Sequence, residues 1–200
     1  MQRKEKIISE MHMGLDFLMK KNKISIFHGI GSFIDQNTIC VTGDDGKKSI
    51  QGKNIIIATG SKPFSLPLFH LDKKRIITST EALSLEEIPK ELIIVGAGVI
   101  GLELGSVYAR MGTKVSVVDI NKNILSTMDL SLGRELKKIL IRDLGFKFYL
   151  SHKVEKITKY DKMVTLIAQS EAKENIQITG DYCLVAIGRR AYVDNLNLDL

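Results

Sequence analysis

The sequence predicts an α/β protein that is built on a parallel β-sheet. Its 200 residues are 44% apolar and 26% charged, which is the composition of a globular protein with one ordinary domain or two small ones. Between residues 91 and 150, strand-like apolar runs alternate with helical patterns, and this alternation indicates β-α-β units. A glycine-rich segment joins the first strand of that region to its first helix.

The first sixty residues predict a helix that is followed by a hairpin. Apolar residues recur at helical spacing from residue 4 to residue 21, which predicts an amphipathic helix. Strand-like runs follow at residues 23–28, 32–42, 47–51 and 54–60. The turn residues Gly43 to Gly46 predict a hairpin between the second and third runs. The fourth run, which ends in Ala-Thr-Gly, is apolar enough to predict a strand buried on both faces.

The segment from Ser61 to Pro89 contains all three prolines and little periodicity, so the domain boundary is expected there. A short helix is predicted over residues 79–85. We expect a first domain over residues 1–79 and a second over 80–190, and we expect residues 191–200 to return to the first.

The second domain is predicted to contain a complete β-α-β unit, followed by a second helix and a third strand that extends the sheet. Strands are predicted at 91–95, 114–119 and 146–150, with helices at 99–111 and 131–144. Asp129 and Ser131 are both candidate N-caps of the second helix, and Gly145 ends it. Residues 153–187 predict several short strands with a polar gap near residues 170–175.

Several functional classes fit the sequence poorly. The net charge of +6 comes from dispersed basic residues, which argues against nucleic-acid binding. The longest apolar stretch falls short of the roughly 20 residues that span a bilayer, and no secretory signal is recognisable. We therefore expect no membrane segment and a cytosolic or organellar location, such as the mitochondrial matrix. Cys40 and Cys183 suit reduced core thiols, no metal site is expected, and four histidines are expected to be surface or packing residues: His12, His28, His70 and His152.

The strongest local signal is Gly96-Ala-Gly98-Val-Ile-Gly101 between a strand and a helix. The first glycine permits a tight turn, the second lets a pyrophosphate approach, and the third allows close packing of helix and strand. Asp119 ends the next strand, where a carboxylate can accept hydrogen bonds from a ribose hydroxyl and repel a 2′-phosphate. The pattern predicts NAD rather than NADP, although Asp119 could instead be an ordinary acidic residue of a turn.

Six stretches of the sequence, one of them around the glycine segment, carry longer motifs, namely residues 54–61, 88–92, 93–107, 127–129, 146–148 and 185–190. In order and spacing these stretches resemble one family, the flavin-dependent pyridine-nucleotide:disulfide oxidoreductases of the dihydrolipoamide dehydrogenase kind. The likeness covers essentially the whole chain. It implies a three-layer Rossmann-like NAD-binding domain with a parallel sheet, and part of a second, FAD-binding Rossmann-like domain.

The resemblance also implies cofactor contacts. For NAD these are Gly96, Ala97, Gly98, Val99, Ile100, Gly101, Leu102, Glu103, Asp119, Val154 and Gly188; for FAD they are Gly31, Thr59, Gly60 and Ser61. Glu103 resembles a carboxylate that lies where flavin and nicotinamide meet. It could instead be a first-turn glutamate stabilised by the helix dipole, and Thr59 and Ser61 could be ordinary turn residues.

The departures from the family are as informative as the matches. The flavin domain's own glycine-rich unit, the Cys-x-x-x-x-Cys pair with its lysine, and the C-terminal His-Pro…Glu base do not occur in this sequence. Asp119 stands where glutamate is usual, and Ala191 stands where proline is common. We therefore expect an internal fragment that lacks catalytic residues, binds NAD(H) weakly, retains no flavin and is inactive alone.

In the intact family, electrons pass from a dithiol through an enzyme disulfide and FAD to NAD. The implied partner is a dihydrolipoamide-bearing protein of a 2-oxoacid dehydrogenase complex, and the complete enzyme is expected to be a homodimer. Two other interpretations stay open, namely another NADH-dependent flavoprotein reductase and a non-catalytic NAD-binding module. We also expect residues 90–188 to form the stable unit, and residues 1–60 to lack partner strands and expose apolar surface.

Overall fold

The computed structural model describes residues 1–199, which form two compact units. The first contains residues 1–61 and the chain from residue 191 onward, and the second contains residues 62–190. The boundary therefore precedes the expected one at residues 79/80. The reason is that residues 62–79 contribute Phe69, Ile76 and Ile77 to the core of the second unit.

The first unit consists of a long helix and a three-stranded antiparallel sheet. Its elements are α1 (Gln2–Lys21), β1 (Ile30–Asp35), β2 (Thr38–Gly43) and β3 (Gly46–Gln51), in the order β1-β2-β3. The single strand predicted over 32–42 is wrong, because the chain turns at Gln36-Asn37. There the Asp35 carboxylate accepts a hydrogen bond of 2.8 Å from the Asn37 amide, as short acidic side chains do in tight turns.

Two other strand predictions in this unit are also wrong. Residues 23–28 and 54–60 adopt no regular structure, and Ile56 is 88% exposed. A strand that is buried on both faces needs hydrogen-bonded partner strands and a packing layer on each face. The described residues supply no partner strand for residues 54–60. Helix α1 likewise has no buried residue. The expected exposure of apolar surface in residues 1–60 is thus observed.

The second unit contains most of the regular structure. Its strands are β4 (Ser61–Pro63), which begins at the boundary, β5 (Ile76–Ile77), β6 (Glu91–Val95), β7 (Lys114–Asp119), β8 (Lys147–Leu150), β9 (His152–Tyr160), β10 (Met163–Ser170), β11 (Asn175–Gly180), β12 (Tyr182–Val185) and β13 (Arg189–Ala191). Its helices are a 3-10 turn at Pro67–Phe69, α2 (Ser79–Ala82), α3 (Val99–Arg110) and α4 (Leu130–Leu144). The elements predicted between residues 91 and 150 are therefore confirmed to within a residue or two.

This unit has three layers. A parallel sheet of order β5-β12-β6-β7-β8 forms the middle layer, the helices cover one face of it, and the antiparallel sheet of β9 to β11 covers the other. In addition, β4 pairs with β13. Along β6, Leu92 and Ile94 belong to the core cluster shared with the helices, whereas Ile93 and Val95 belong to the cluster shared with β9 and β10. Because both faces are covered, the strands are mostly apolar between their ends. The predicted three-layer α/β fold is confirmed.

Helix α4 shows how local sequence sets the element boundaries. Asp129 is its N-cap, and its carboxylate accepts hydrogen bonds from the Ser131 amide at 2.7 Å and hydroxyl at 2.6 Å. Gly145 ends the helix in the left-handed conformation, with φ of 66°, which glycine adopts without steric cost. Of the helices in the described residues, none combines the length and the apolar character that crossing a membrane demands.

Candidate functional site

The turn between β6 and α3 requires glycine at two positions. Gly96 has a positive φ of 106°, and a Cβ atom there would lie 2.4 Å from the carbonyl oxygen of Ala186. A Cβ at Gly101 would lie 2.5 Å from the carbonyl oxygen of Gly96. Any side chain at either position would force the strand, the turn or the helix to move, so these two glycines are explained by packing alone.

Gly98 is different, because nothing in the protein requires it. It is the N-cap of α3, its backbone is extended with φ of −82° and ψ of 179°, and no atom lies within 4 Å of the position of a Cβ. The amides at the start of a helix have no partner within the helix, and the helix dipole makes this end attractive to anions. The geometry thus leaves open space beside a set of anion-binding amides.

Asp119 lies at the end of β7 and holds the glycine turn in place. One carboxylate oxygen accepts a hydrogen bond of 2.6 Å from the Ala97 amide, and the other accepts one of 2.7 Å from the Asn121 amide. Each oxygen keeps a further lone pair. Asp119 can therefore stabilise the turn and still accept hydrogen bonds from a ligand, so the two roles considered from the sequence are compatible.

A cavity of about 520 Å³ opens above the carboxyl ends of the parallel strands. Its volume lies in the range of small-molecule and cofactor sites. The strand order reverses around β6, because β7 lies on one side and β12 on the other. Ligands of open α/β sheets bind in the crevice at such a switch point. The position of the cavity is therefore the one that the topology favours.

Most of the predicted NAD residues line this cavity, namely Gly96, Ala97, Gly98, Val99, Ile100, Asp119, Val154 and Gly188. Three others do not. Gly101 and Leu102 are buried against the core, and Glu103 is exposed on α3 beside a smaller cavity of about 230 Å³. Gly101 and Leu102 thus help to position the turn, and their contact with NAD stays a prediction.

Several residues that no sequence motif predicts as contacts also line the cavity. His152 and Lys153 lie where β8 turns into β9, Asn121 follows Asp119, and Leu66, Leu68 and Phe69 form an apolar wall. The sequence predicts only a surface or packing role for His152, because no motif surrounds it. The one available signal was its position two residues before the predicted contact Val154. The other three histidines are exposed, as expected.

The predicted FAD residues all belong to the first unit. Gly31 lies in β1, whereas Thr59 and Gly60 lie in an exposed segment without regular structure. The Thr59 hydroxyl donates a hydrogen bond of 2.6 Å to the Tyr192 carbonyl, and the Gly60 carbonyl accepts one of 3.0 Å from the Tyr192 amide. These contacts fasten the segment to the returning chain. They leave the flavin role of Gly31, Thr59, Gly60 and Ser61 a prediction.

Two groups of the second unit, the Asp72 carboxylate and the Cys183 thiol, have shifted pKa values. Asp72 accepts hydrogen bonds from three backbone amides and one of 2.7 Å from Lys159 of β9. Partial burial alone would raise the pKa of Asp72, but these bonds outweigh it and hold the pKa well below its usual value. On β12, complete burial raises the pKa of the Cys183 thiol to about 12. Cys183 is thus an inert core thiol, whereas Cys40 is only half-buried.

The metal-binding side chains are dispersed. Within residues 1–199, no three of the His, Cys, Asp and Glu side chains converge in a way that could hold a metal ion. The polar groups that line the main cavity are instead backbone amides, one carboxylate, an asparagine, a histidine, three hydroxyl groups and basic side chains. This set of groups suits an elongated ligand with a diphosphate and hydroxyl groups.

Comparison with known proteins gives a consistent result. The family model described as pyridine nucleotide-disulphide oxidoreductase matches residues 1–199. The mitochondrial dihydrolipoyl dehydrogenase of Pisum sativum is 40% identical over 201 residues, which cover all of this chain and 40% of that protein. Dihydrolipoyl dehydrogenase 3 of Pseudomonas putida is 39% identical, again over the whole chain, and is covered to 43%. This chain thus spans about two fifths of the length of these curated relatives.

Solved structures agree with the sequence comparisons. The HOCl-induced flavoprotein disulfide reductase of Escherichia coli, in a Cu(II) complex of a mutant, superposes with a TM-score of 0.84 at 28% identity. The match covers 98% of this chain and 43% of that one. A structure from Mycobacterium tuberculosis gives a TM-score of 0.75 at 25% identity and is covered to 39%.

Proposed function

Because the chain belongs to the pyridine nucleotide-disulphide oxidoreductase family, we propose that it is the NAD(H)-binding part of a dihydrolipoyl dehydrogenase-like flavoprotein. Dihydrolipoyl dehydrogenases and the related disulfide reductases use FAD and NAD(H). In this proposal the second unit binds the dinucleotide, and the first unit supplies part of the flavin site through Gly31 and residues 59–61.

The open space beside Gly98 carries the proposal. Gly96 and Gly101 are needed for packing, but no protein atom comes near the missing side chain of Gly98. A glycine at this position is instead accounted for by a ligand that must approach the backbone closely. A diphosphate meets this requirement, since it can bind the first amides of α3. The cavity volume and the carboxylate of Asp119 fit the rest of a dinucleotide.

Each part of the cavity then has a separate task. The amides that begin α3 bind the diphosphate, and Asp119 accepts hydrogen bonds from the ribose on the β7 side. The apolar wall of Leu66, Leu68 and Phe69 keeps water away from the bound cofactor. When bound, NAD supplies the hydride chemistry itself, while the protein orients it. Glu103, on the exposed side of α3, is proposed to lie on the nicotinamide side of the dinucleotide site.

For the intact protein we propose the oxidation of a dithiol to a disulfide. The two electrons and one proton reduce NAD to NADH, and the second proton is released, so that the reaction balances. The dithiol would be a dihydrolipoamide group on a protein of a 2-oxoacid dehydrogenase complex, and the intact enzyme a homodimer. The curated relatives include mitochondrial proteins, and we propose either the cytoplasm or the mitochondrial matrix as the compartment.

Titration calorimetry tests the dinucleotide proposal directly. NADH is expected to bind the purified chain more tightly than NADPH, because a 2′-phosphate would lie beside the Asp119 carboxylate. We also expect the purified chain to be colourless, because the described part of the flavin site is small and exposed. Equal affinity for the two nucleotides would contradict the role of Asp119, and a stoichiometric flavin spectrum would contradict the expected loss of FAD.

Two alternatives make different predictions. A non-catalytic NAD-binding module would have no flavin-type glycine motif or Cys-x-x-x-x-Cys encoded upstream, so the neighbouring nucleotide sequence distinguishes it. Another NADH-dependent flavoprotein reductase would have both motifs but would not use dihydrolipoamide. Activity with dihydrolipoamide, measured on a protein that contains both motifs, separates this alternative from the main proposal.

A further inference from the structure

The corner between β8 and β9 lies on the side of the cavity where the proposed function places the adenosine. Asp119, the proposed ribose acceptor, ends β7, and β8 is the next strand outward in the sheet. A dinucleotide whose diphosphate binds at α3 and whose ribose lies at Asp119 must place its base farther in this direction. His152, the first residue of β9, lines the cavity at this point.

The corner is held in a fixed conformation. Ser151 has a positive φ of 55°, which is uncommon for a residue other than glycine and is often found at functional sites. Its amide donates a hydrogen bond of 3.1 Å to the Asn121 carbonyl, and the Asn121 amide in turn donates to Asp119. The corner that bears His152 is therefore connected through Asn121 to the proposed ribose site.

The contacts of the His152 ring determine its hydrogen-bonding character. Nδ1 lies 2.7 Å from the Leu150 carbonyl oxygen. Since a carbonyl oxygen can only accept, Nδ1 carries the proton, and Nε2 of the neutral ring is left as an acceptor. The ring also packs edge-on against Tyr149, with 6.3 Å between the centroids and 81° between the planes. Together these two contacts fix the ring and leave Nε2 as the nitrogen for a ligand.

We propose that His152 is a specificity-determining residue that recognises the adenine of the dinucleotide by accepting a hydrogen bond from its exocyclic amine at Nε2. This inference rests on the proposed binding of NAD(H) to the same cavity. The amine of adenine is a donor, so it complements the acceptor that the Leu150 contact leaves on the ring. A base with a carbonyl oxygen at this position would place two acceptors against each other.

The reduced form of nicotinamide hypoxanthine dinucleotide tests this inference, because it differs from NADH only in the base, where a carbonyl group replaces the adenine amine and N1 carries a proton. Calorimetric titrations with the two dinucleotides give both affinities and hence their ratio. The unsubstituted chain is expected to bind NADH about tenfold more tightly than the analogue, the effect of one hydrogen bond. In His152→Ala and His152→Phe the ratio is expected to fall toward one.

The variants separate recognition from folding. His152→Phe keeps an aromatic ring against Tyr149 but has no ring nitrogen, and an affinity ratio does not depend on the fraction of folded protein. Lys153→Ala is the matched control, because this neighbouring charge should affect both dinucleotides equally and leave the ratio unchanged. The role of His152 is overturned if the ratio of the two affinities is near one in the unsubstituted chain, or if both His152 variants leave it unchanged. Either result leaves the proposed function intact. Failure of NADH to bind at all overturns the proposed function and this inference with it.

Discussion

Substitution of Gly98 by alanine should abolish much of the affinity for NADH without harming the fold. The backbone of Gly98 is extended, with φ of −82°, a conformation that any residue adopts. The added Cβ would meet no protein atom within 4 Å. We therefore expect the free energy of unfolding to change little, or to rise by about 0.4–1 kcal/mol because alanine restricts the unfolded chain.

The effect on binding follows from the same geometry. If the diphosphate lies against the amides of α3, the new methyl group takes up space that the phosphates need. Inserting a methyl group into a packed contact costs about 1–3 kcal/mol. A cost of about 2 kcal/mol weakens the affinity for NADH roughly 30-fold. Titration calorimetry measures this change, and denaturant unfolding of the same sample measures stability.

Two other glycine variants are the controls. Gly14→Ala, on the exposed helix α1, also meets no atom within 4 Å, so it should leave the affinity unchanged. Gly101→Ala would place its Cβ 2.5 Å from the Gly96 carbonyl oxygen and should lower stability by about 1–3 kcal/mol. The reasoning is refuted if Gly98→Ala binds NADH normally, or if it loses as much stability as Gly101→Ala.

Three further predictions concern the acidic residues and the thiols. Asp119→Asn should reduce the preference for NADH over NADPH about tenfold, and should cost about 1–2 kcal/mol of stability because it weakens the bonds to the Ala97 and Asn121 amides; unchanged values in calorimetry and unfolding would count against both roles. Since the pKa of Asp72 is lowered in the folded state, its stabilisation is present above the unfolded pKa of about 3.9 and is lost as the pH falls through the lower folded value. Asp72→Asn should therefore be less stable at neutral pH by about 1–3 kcal/mol and should lose less stability than the parent on acidification, whereas parallel pH profiles would contradict this. Cys183, whose pKa is raised to about 12 by burial, should resist thiol reagents until the protein unfolds; rapid labelling of Cys183 in native conditions, identified by peptide mapping against Cys40, would show that it is accessible.

The fold was predictable where each strand finds its partner strands within the described chain. Between residues 91 and 150, each apolar strand has neighbours within the second unit, so periodicity and glycine stops located the elements correctly. Residues 54–60 are equally apolar, yet they form no strand, because the described residues offer them no partners. Sequence pattern records which residues are suited to burial, whereas burial itself depends on the partners that are present.

The candidate site shows a similar division. Gly96, Gly98 and Asp119 were predictable because their spacing is imposed by a strand, a turn and a helix that are contiguous in sequence. His152 was not, because it reaches the cavity through the turn between β8 and β9 and through the link from Ser151 to Asn121. The buried position of Leu102 likewise depends on how α3 packs on β6, which spacing alone does not reveal, whereas the glycine spacing did predict the close packing at Gly101.

A crystal structure of the chain with NADH would test the central claim most directly. The account predicts that the diphosphate contacts the amides that begin α3 beside Gly98, and that the adenosine ribose hydroxyls lie within hydrogen-bonding distance of the Asp119 carboxylate. A dinucleotide bound elsewhere, or a turn filled by neighbouring side chains under saturating NADH, would contradict it.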